Sequence, residues 1–218
     1  MEPRHRPADA PDPTPGATAR RAAVAEAGHR GDGDALRGAT TDPDAGVRAT
    51  ALGGLRRAGL LGASAVAAAL TDPDAGVRRR AAEEVAALSG PDGTGPVPDG
   101  MSLLALLDDG DPTVVEAAAW ACGERVPPEP GAVARLAVLA VDHADALVRE
   151  AAVAALGATG DPAGLHAVLA GTRDRATVRR RAVLALAPFR GPEVDAALAR
   201  AAEDRDWQVR QAAEDLTR

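Results

Sequence analysis

Only a few residues in this chain have the type and spacing to do chemistry. The soft or titratable ligands are four histidines, His5, His29, His143 and His166, and one cysteine, Cys122. Asp142-His-Ala-Asp145 is the one cluster that looks like a metal site. Two or three ligands at loop spacing hold a cation only when others converge on them, and Asp145 has a second duty at the start of a helix. No metal and no cofactor are therefore expected. Cys122 falls at an apolar helical position, which predicts a buried structural thiol rather than a nucleophile. A lone cysteine also excludes an internal disulfide framework. No residue is assigned a catalytic role.

Arginine is the residue that recurs with a fixed spacing. Arg48, Arg78, Arg149, Arg179 and Arg210 each directly follow a valine. Asp44, Asp74, Asp145 and Asp206 stand four residues before four of them. A row of arginines can grip phosphates. Arginines that travel with aspartates predict instead a structural ladder, in which Asp-Arg pairs link neighbouring units through bidentate bonds. The same aspartates, with Asp111, are placed to cap helices by accepting the first free N–H groups.

These pairs belong to a repeat. Asp42-Pro-Asp-Ala-Gly-Val-Arg48 returns letter for letter as Asp72-Pro-Asp-Ala-Gly-Val-Arg78, and looser copies begin at Asp109, Asp142, Asp174 and Asp204. The valines Val47, Val77, Val114, Val148, Val178 and Val209 fall 30 to 37 residues apart. Apolar residues follow each valine at four, five and eight residues, one face of a 3.6-residue period. The pattern predicts short A helices near 33–41, 62–71, 101–108, 131–141, 163–171 and 193–203. Longer B helices are predicted near 45–58, 75–89, 113–124, 146–157, 176–187 and 207–217. A helix near 19–28 reads as the remnant of a degenerate first repeat. A unit of this size cannot bury its apolar face alone and must stack on its neighbours. Residues 1–16, rich in proline, are expected to be a disordered tail, and 90–100 an inserted loop.

The Asp-Pro-x-x-x-Val-Arg turn, the Ala-rich helix after it and the period resemble the HEAT-repeat family, in particular the short bacterial HEAT-like repeats of the phycobilisome-lyase type. The resemblance covers about residues 17–218. It implies an all-α fold, an α-solenoid of about six HEAT-like helical-hairpin repeats, and a role as a protein-binding scaffold. It also implies alternatives that need particular residues. HEAT-like iron hydroxylases carry His-Glu pairs, and none of the four histidines precedes a glutamate. HEAT-like DNA glycosylases need aromatic residues and a basic face. This chain has two tryptophans, one phenylalanine, no tyrosine and a net charge of −7, which argues against nucleic acid. A lyase-like or oxidoreductase-like enzyme or accessory subunit is the remaining alternative.

The leading expectation is a non-enzymatic scaffold that binds a protein or peptide in a groove lined by the B helices. Residues two, three, six and seven beyond each valine are expected to face that groove: Arg79, Arg80, Glu83, Glu84, Glu116, Trp120, Glu150, Arg180 and Arg181. Two readings of Trp120 stand side by side, a binding hot spot and a cover for neighbouring alanines. Trp207 is expected to cover the end of the stack. No stretch approaches the roughly 18 apolar residues of a membrane span, so a cytoplasmic location is expected; the oligomeric state is left open, with a monomer as the default.

Overall fold

The computed structural model describes residues 15–88, 101–125 and 127–217. The tail expected over 1–16, up to residue 14, and the loop at 90–100 lie outside the described residues. All regular elements among the described residues are helical. The chain divides into two compact units, one ending at Gly62 and the other beginning at Ala63.

The first unit holds α1 (Pro15–Arg30), α2 (Gly33–Ala39) and α3 (Ala45–Arg57). Val24, Ala27, Leu36, Val47, Ala51 and Leu55 form its core. The helices touch through small residues: a Cβ on Gly28 would stand 3.0 Å from the Cα of Gly54. Asp32 caps α2 by accepting the N–H of Ala35 at 3.1 Å.

The second unit begins with α4 (Ala63–Leu70) and α5 (Ala75–Leu88), followed by a 3-10 turn, Leu104–Asp108. Then come α6 (Pro112–Gly123), α7 (Ala132–Asp142) and α8 (Ala146–Thr159). A short 3-10 turn, Pro162–Gly164, leads into α9 (Leu165–Gly171), and α10 (Ala176–Ala185), α11 (Pro192–Ala202) and α12 (Trp207–Thr217) complete it. The alternation is that of an α-solenoid of helical-hairpin repeats. One element departs from expectation: the stretch 101–108 holds only a short 3-10 helix, Leu104–Asp108, rather than a full helix. Glu129 takes the Ser102 hydroxyl and the N–H of Leu103, the latter at 3.0 Å, pinning the chain before a longer helix can start.

The B helices bury the face that their spacing predicts. The predicted positions are buried in α5 at Val77, Ala81, Ala82 and Val85, and in α10 at Val178, Ala182 and Val183, with Leu186 just beyond it. Small residues let successive B helices approach closely. A Cβ on Gly123 would lie 2.8 Å from the Cα of Ala155, and one on Gly157 2.6 Å from the Cα of Ala185. Separations this short leave no room for any side chain.

An arginine ladder fixes the turns between repeats. Arg78 donates Nε and Nη2 to Asp109 at 2.7 and 2.9 Å, and Arg149 donates the same pair to Asp174 at 2.6 and 2.9 Å. Arg179 clasps Asp204 at 2.8 Å through both nitrogens. Each of these arginines also turns Nη1 back to carbonyls of its own turn, as Arg210 does to Asp204 and Arg48 to Asp42. In the first unit Arg20 clasps Asp42 in the same way.

The carboxylate in each rung is not the capping one, and this corrects the pairing expected from sequence. Asp44, Asp74, Asp145 and Asp206 are helix caps, accepting from Val47, Val77, Leu147 and Gln208 at 3.0, 3.2, 2.8 and 2.9 Å. At Asp109 and Asp204 the rung acceptor comes two residues before the cap, where it also takes the N–H of the capping residue, Asp111 or Asp206. Asp174 stands one residue before Arg175 and takes its N–H. Two aspartates thus divide two duties: one receives the arginine and shapes the turn, the other starts the helix. The arginine hydrogen bonds hold Asp109, Asp174 and Asp204 below the usual carboxylate range against the opposing effect of burial. Arg175, in the capping place of α10, makes no side-chain cap.

One junction of the second unit is built differently. Val115, buried, holds the arginine place of α6. His143, in the next turn, holds the acceptor place, where its Nδ1 accepts the N–H of Asp145 at 3.1 Å.

Candidate protein-binding groove

A helix turns about 100° per residue, so residues two, three and six beyond the valine point away from the buried face. A residue seven beyond returns to within about 20° of the valine itself. That geometry corrects one expectation. Glu84, seven beyond Val77, is 1% exposed, with Arg80 Nη2 at 2.8 Å from its Oε1. Ala121 and Ala185, at the same position, are buried as well.

The other places form an open face across α5, α6, α8 and α10. Trp120 stands at its centre with 47% of its surface exposed. On one side of the indole is a hollow of about 550 Å³ lined by Arg79, Glu83, Thr113, Glu116 and Ala117. On the other is one of about 500 Å³, with Leu147, Ala151, Ala154 and Ala158 on its apolar wall and Glu116, Glu124, Glu150 and Arg181 around it. Gly123 lies in this second hollow, so the close approach of α6 to α8 also shapes its floor.

Most charges here are already paired. Arg79 lies 3.3 Å from Glu83, Arg80 lies 3.2 Å from Glu83, and Arg181 lies 3.5 Å from Glu150. Glu116 and Glu124 form no ion pair among the described residues. Arg180 sits apart, beside a smaller hollow of about 110 Å³ with Leu184, Gln211 and Trp207. Trp207 is 65% exposed at the start of α12, so it does not seal the end of the stack as expected.

Sequence reasoning missed Glu124 and Leu147. Glu124, the residue just after α6, lies four residues after Trp120 and eight after Glu116, in line with the same stripe. Leu147 directly precedes Val148 and is 58% exposed. Both fall on the open side of a helical wheel drawn from the valine.

The groups with chemical potential lie away from this face or are engaged. Cys122 is fully buried, and burial pushes its thiol up to about 12. His143 is held in its turn by the N–H of Asp145. Among the described residues, no three His, Cys, Asp or Glu side chains converge as metal ligands would. No helix among them is long and apolar enough to cross a membrane.

Comparison with known proteins agrees with this architecture. The model of the HEAT repeats family matches residues 101–186 and 133–216. No curated protein matches the chain significantly. Among solved structures, the chain is similar to YibA of Escherichia coli, with a TM-score of 0.62 and 18% identity over 88% of this chain and 72% of that one. It is similar to a designed armadillo repeat protein, with a TM-score of 0.57 and 19% identity over 83% and 96% of the two chains. An engineered protein aligns with a TM-score of 0.59 and 21% identity over 84% and 94%. With helical-hairpin repeats in the structure and a family model covering more than half of its length, the chain belongs to the HEAT-repeat family.

Proposed function

We propose that this protein is a non-enzymatic scaffold that holds a protein or peptide partner on the open face of α5, α6, α8 and α10. The observation that carries the reading is Trp120, a large aromatic residue left 47% exposed between two hollows on a face made mostly of small and charged side chains. Exposed tryptophans at the centre of a shaped surface are the residues most often found to dominate binding energy. Extended helical-repeat faces serve as interaction surfaces. Arg79, Glu83, Glu116, Glu150 and Arg181 frame the hollows and set orientation and selectivity. We take the protein to act in the cytoplasm as a monomer.

The test is affinity capture from a lysate of the source organism with wild type, Trp120→Ala and Trp207→Ala. A partner lost with Trp120→Ala and kept with Trp207→Ala supports the reading, provided helical content and melting are unchanged. Equal capture by all three proteins removes this face from the proposal.

A further inference from the structure

The charge left over on this face identifies the chemistry of its occupant, an inference that rests on the scaffold reading above. Glu116 and Trp120 of α6 and Glu124, the residue that caps its C-terminal end, follow one another at intervals of four residues, about 6 Å of helix rise each. The indole is therefore flanked along the helix by two carboxylates. Neither carboxylate has an ion-pair partner among the described residues. The cations nearby are engaged, Arg79 with Glu83 and Arg181 with Glu150. The hollow beside the indole carries Glu116, Glu124 and Glu150 against Arg181, so it is left net acidic. Its remaining wall is aliphatic: Leu147, Ala151, Ala154 and Ala158.

We propose that this hollow receives an arginine side chain, flanked by aliphatic residues, from a peptide segment of the partner. The guanidinium stacks on the Trp120 indole and donates to Glu116 or Glu124, while an aliphatic neighbour packs against Leu147 and the alanines of α8. Arginine suits the place better than lysine. Its planar, weakly hydrated head can stack on an aromatic face and still use its edge for carboxylate oxygens. An acidic segment or a nucleic-acid backbone meets repulsion from the same carboxylates.

The experiment is selection of a displayed random dodecapeptide library on the immobilised full chain, in parallel with Trp120→Ala and with the double variant Glu116→Gln/Glu124→Gln. All three positions lie on the open face, and circular dichroism and melting check that the variants fold alike. The expected result is enrichment of peptides with arginine next to leucine, valine or methionine. Synthetic copies should bind the double variant about tenfold more weakly and lose affinity as salt rises. Replacing the arginine by lysine should weaken binding to wild type but not to Trp120→Ala. Uncharged or acidic peptides that depend on Trp120 would overturn the arginine assignment and leave the scaffold reading standing. Arginine peptides that bind all three proteins equally, or a library from which nothing is enriched over Trp120→Ala, would overturn both.

Discussion

Arg149 grips both carboxylate oxygens of Asp174, twenty-five residues further along the chain, at 2.6 and 2.9 Å. It also holds the carbonyls of His143 and Ala144 at 2.8 and 3.0 Å. One side chain therefore ties its own turn to the next. Arg149→Gln or Asp174→Asn should each lower stability by about 1–3 kcal/mol, because either leaves a partly buried partner without its charge-assisted bonds. A double-mutant cycle read by urea unfolding should give a coupling near 1 kcal/mol or more. Strict additivity would show the rung to be ornamental.

The rungs also set an acid limit. Asp109, Asp174 and Asp204 have lowered folded-state pKa values, chiefly through their arginine hydrogen bonds. A lowered carboxylate pKa means that the unfolded chain binds the proton first. The stabilisation is therefore complete above the ordinary carboxylate value of about 3.9 and is lost as pH falls toward the lower folded values. Unfolding midpoints measured across this acid range should fall steeply for wild type. Asp109→Asn should show a lower plateau and a shallower slope.

Val115 and His143 occupy the two places that hold an arginine and its acceptor at the neighbouring junctions of the second unit. Both members of the rung are changed together. Val115→Arg alone should cost about 2–4 kcal/mol, since it forces an unpaired guanidinium into a buried place. Adding His143→Asp should recover at least about 1 kcal/mol of that, measured as the coupling in a thermodynamic cycle. No recovery would mean that this junction no longer has room for a rung.

Gly157 tests the close packing of the B helices. Its Cβ would fall 2.6 Å from both Cα and Cβ of Ala185, and backbone cannot move aside as the end of a side chain can. Gly157→Val should destabilise by about 1–3 kcal/mol or more, seen in thermal melting. Gly38 has open space around it, so Gly38→Ala should raise or barely change stability.

The repeats were legible in sequence because buried valine and alanine recur at one helical period, and Val77, Ala81, Ala82 and Val85 are indeed buried. The exposure of Trp120 was legible because its place in other repeats holds Gly53, Glu83, Ala154, Leu184 or Asp215, a mixture no core accepts. Glu84 was misplaced because the offset of seven was grouped with two, three and six, although seven residues is nearly two full turns and returns it to the valine's side. The rung acceptors were missed because, in the turns that carry two aspartates, both stand close enough to the arginine in sequence to pair with it. Only the direction of the arginine fork across the junction distinguishes them. The 3-10 turn at Leu104–Asp108 depends on Glu129, a contact twenty-six or more residues away that no local pattern encodes.

The matched change at Val115 and His143 also constrains how such a gene can lengthen or shuffle. Copying the segment between two arginine-aspartate seams yields a new seam like the old ones, so those units are interchangeable parts. The units meeting at Val115 and His143 are not. Moved elsewhere, one would set an arginine against an imidazole and the other would offer an aspartate to a valine. A break between these two units therefore carries a cost in stability that a break at an arginine-aspartate seam does not, and it falls beside the stretch of α6 that carries Trp120.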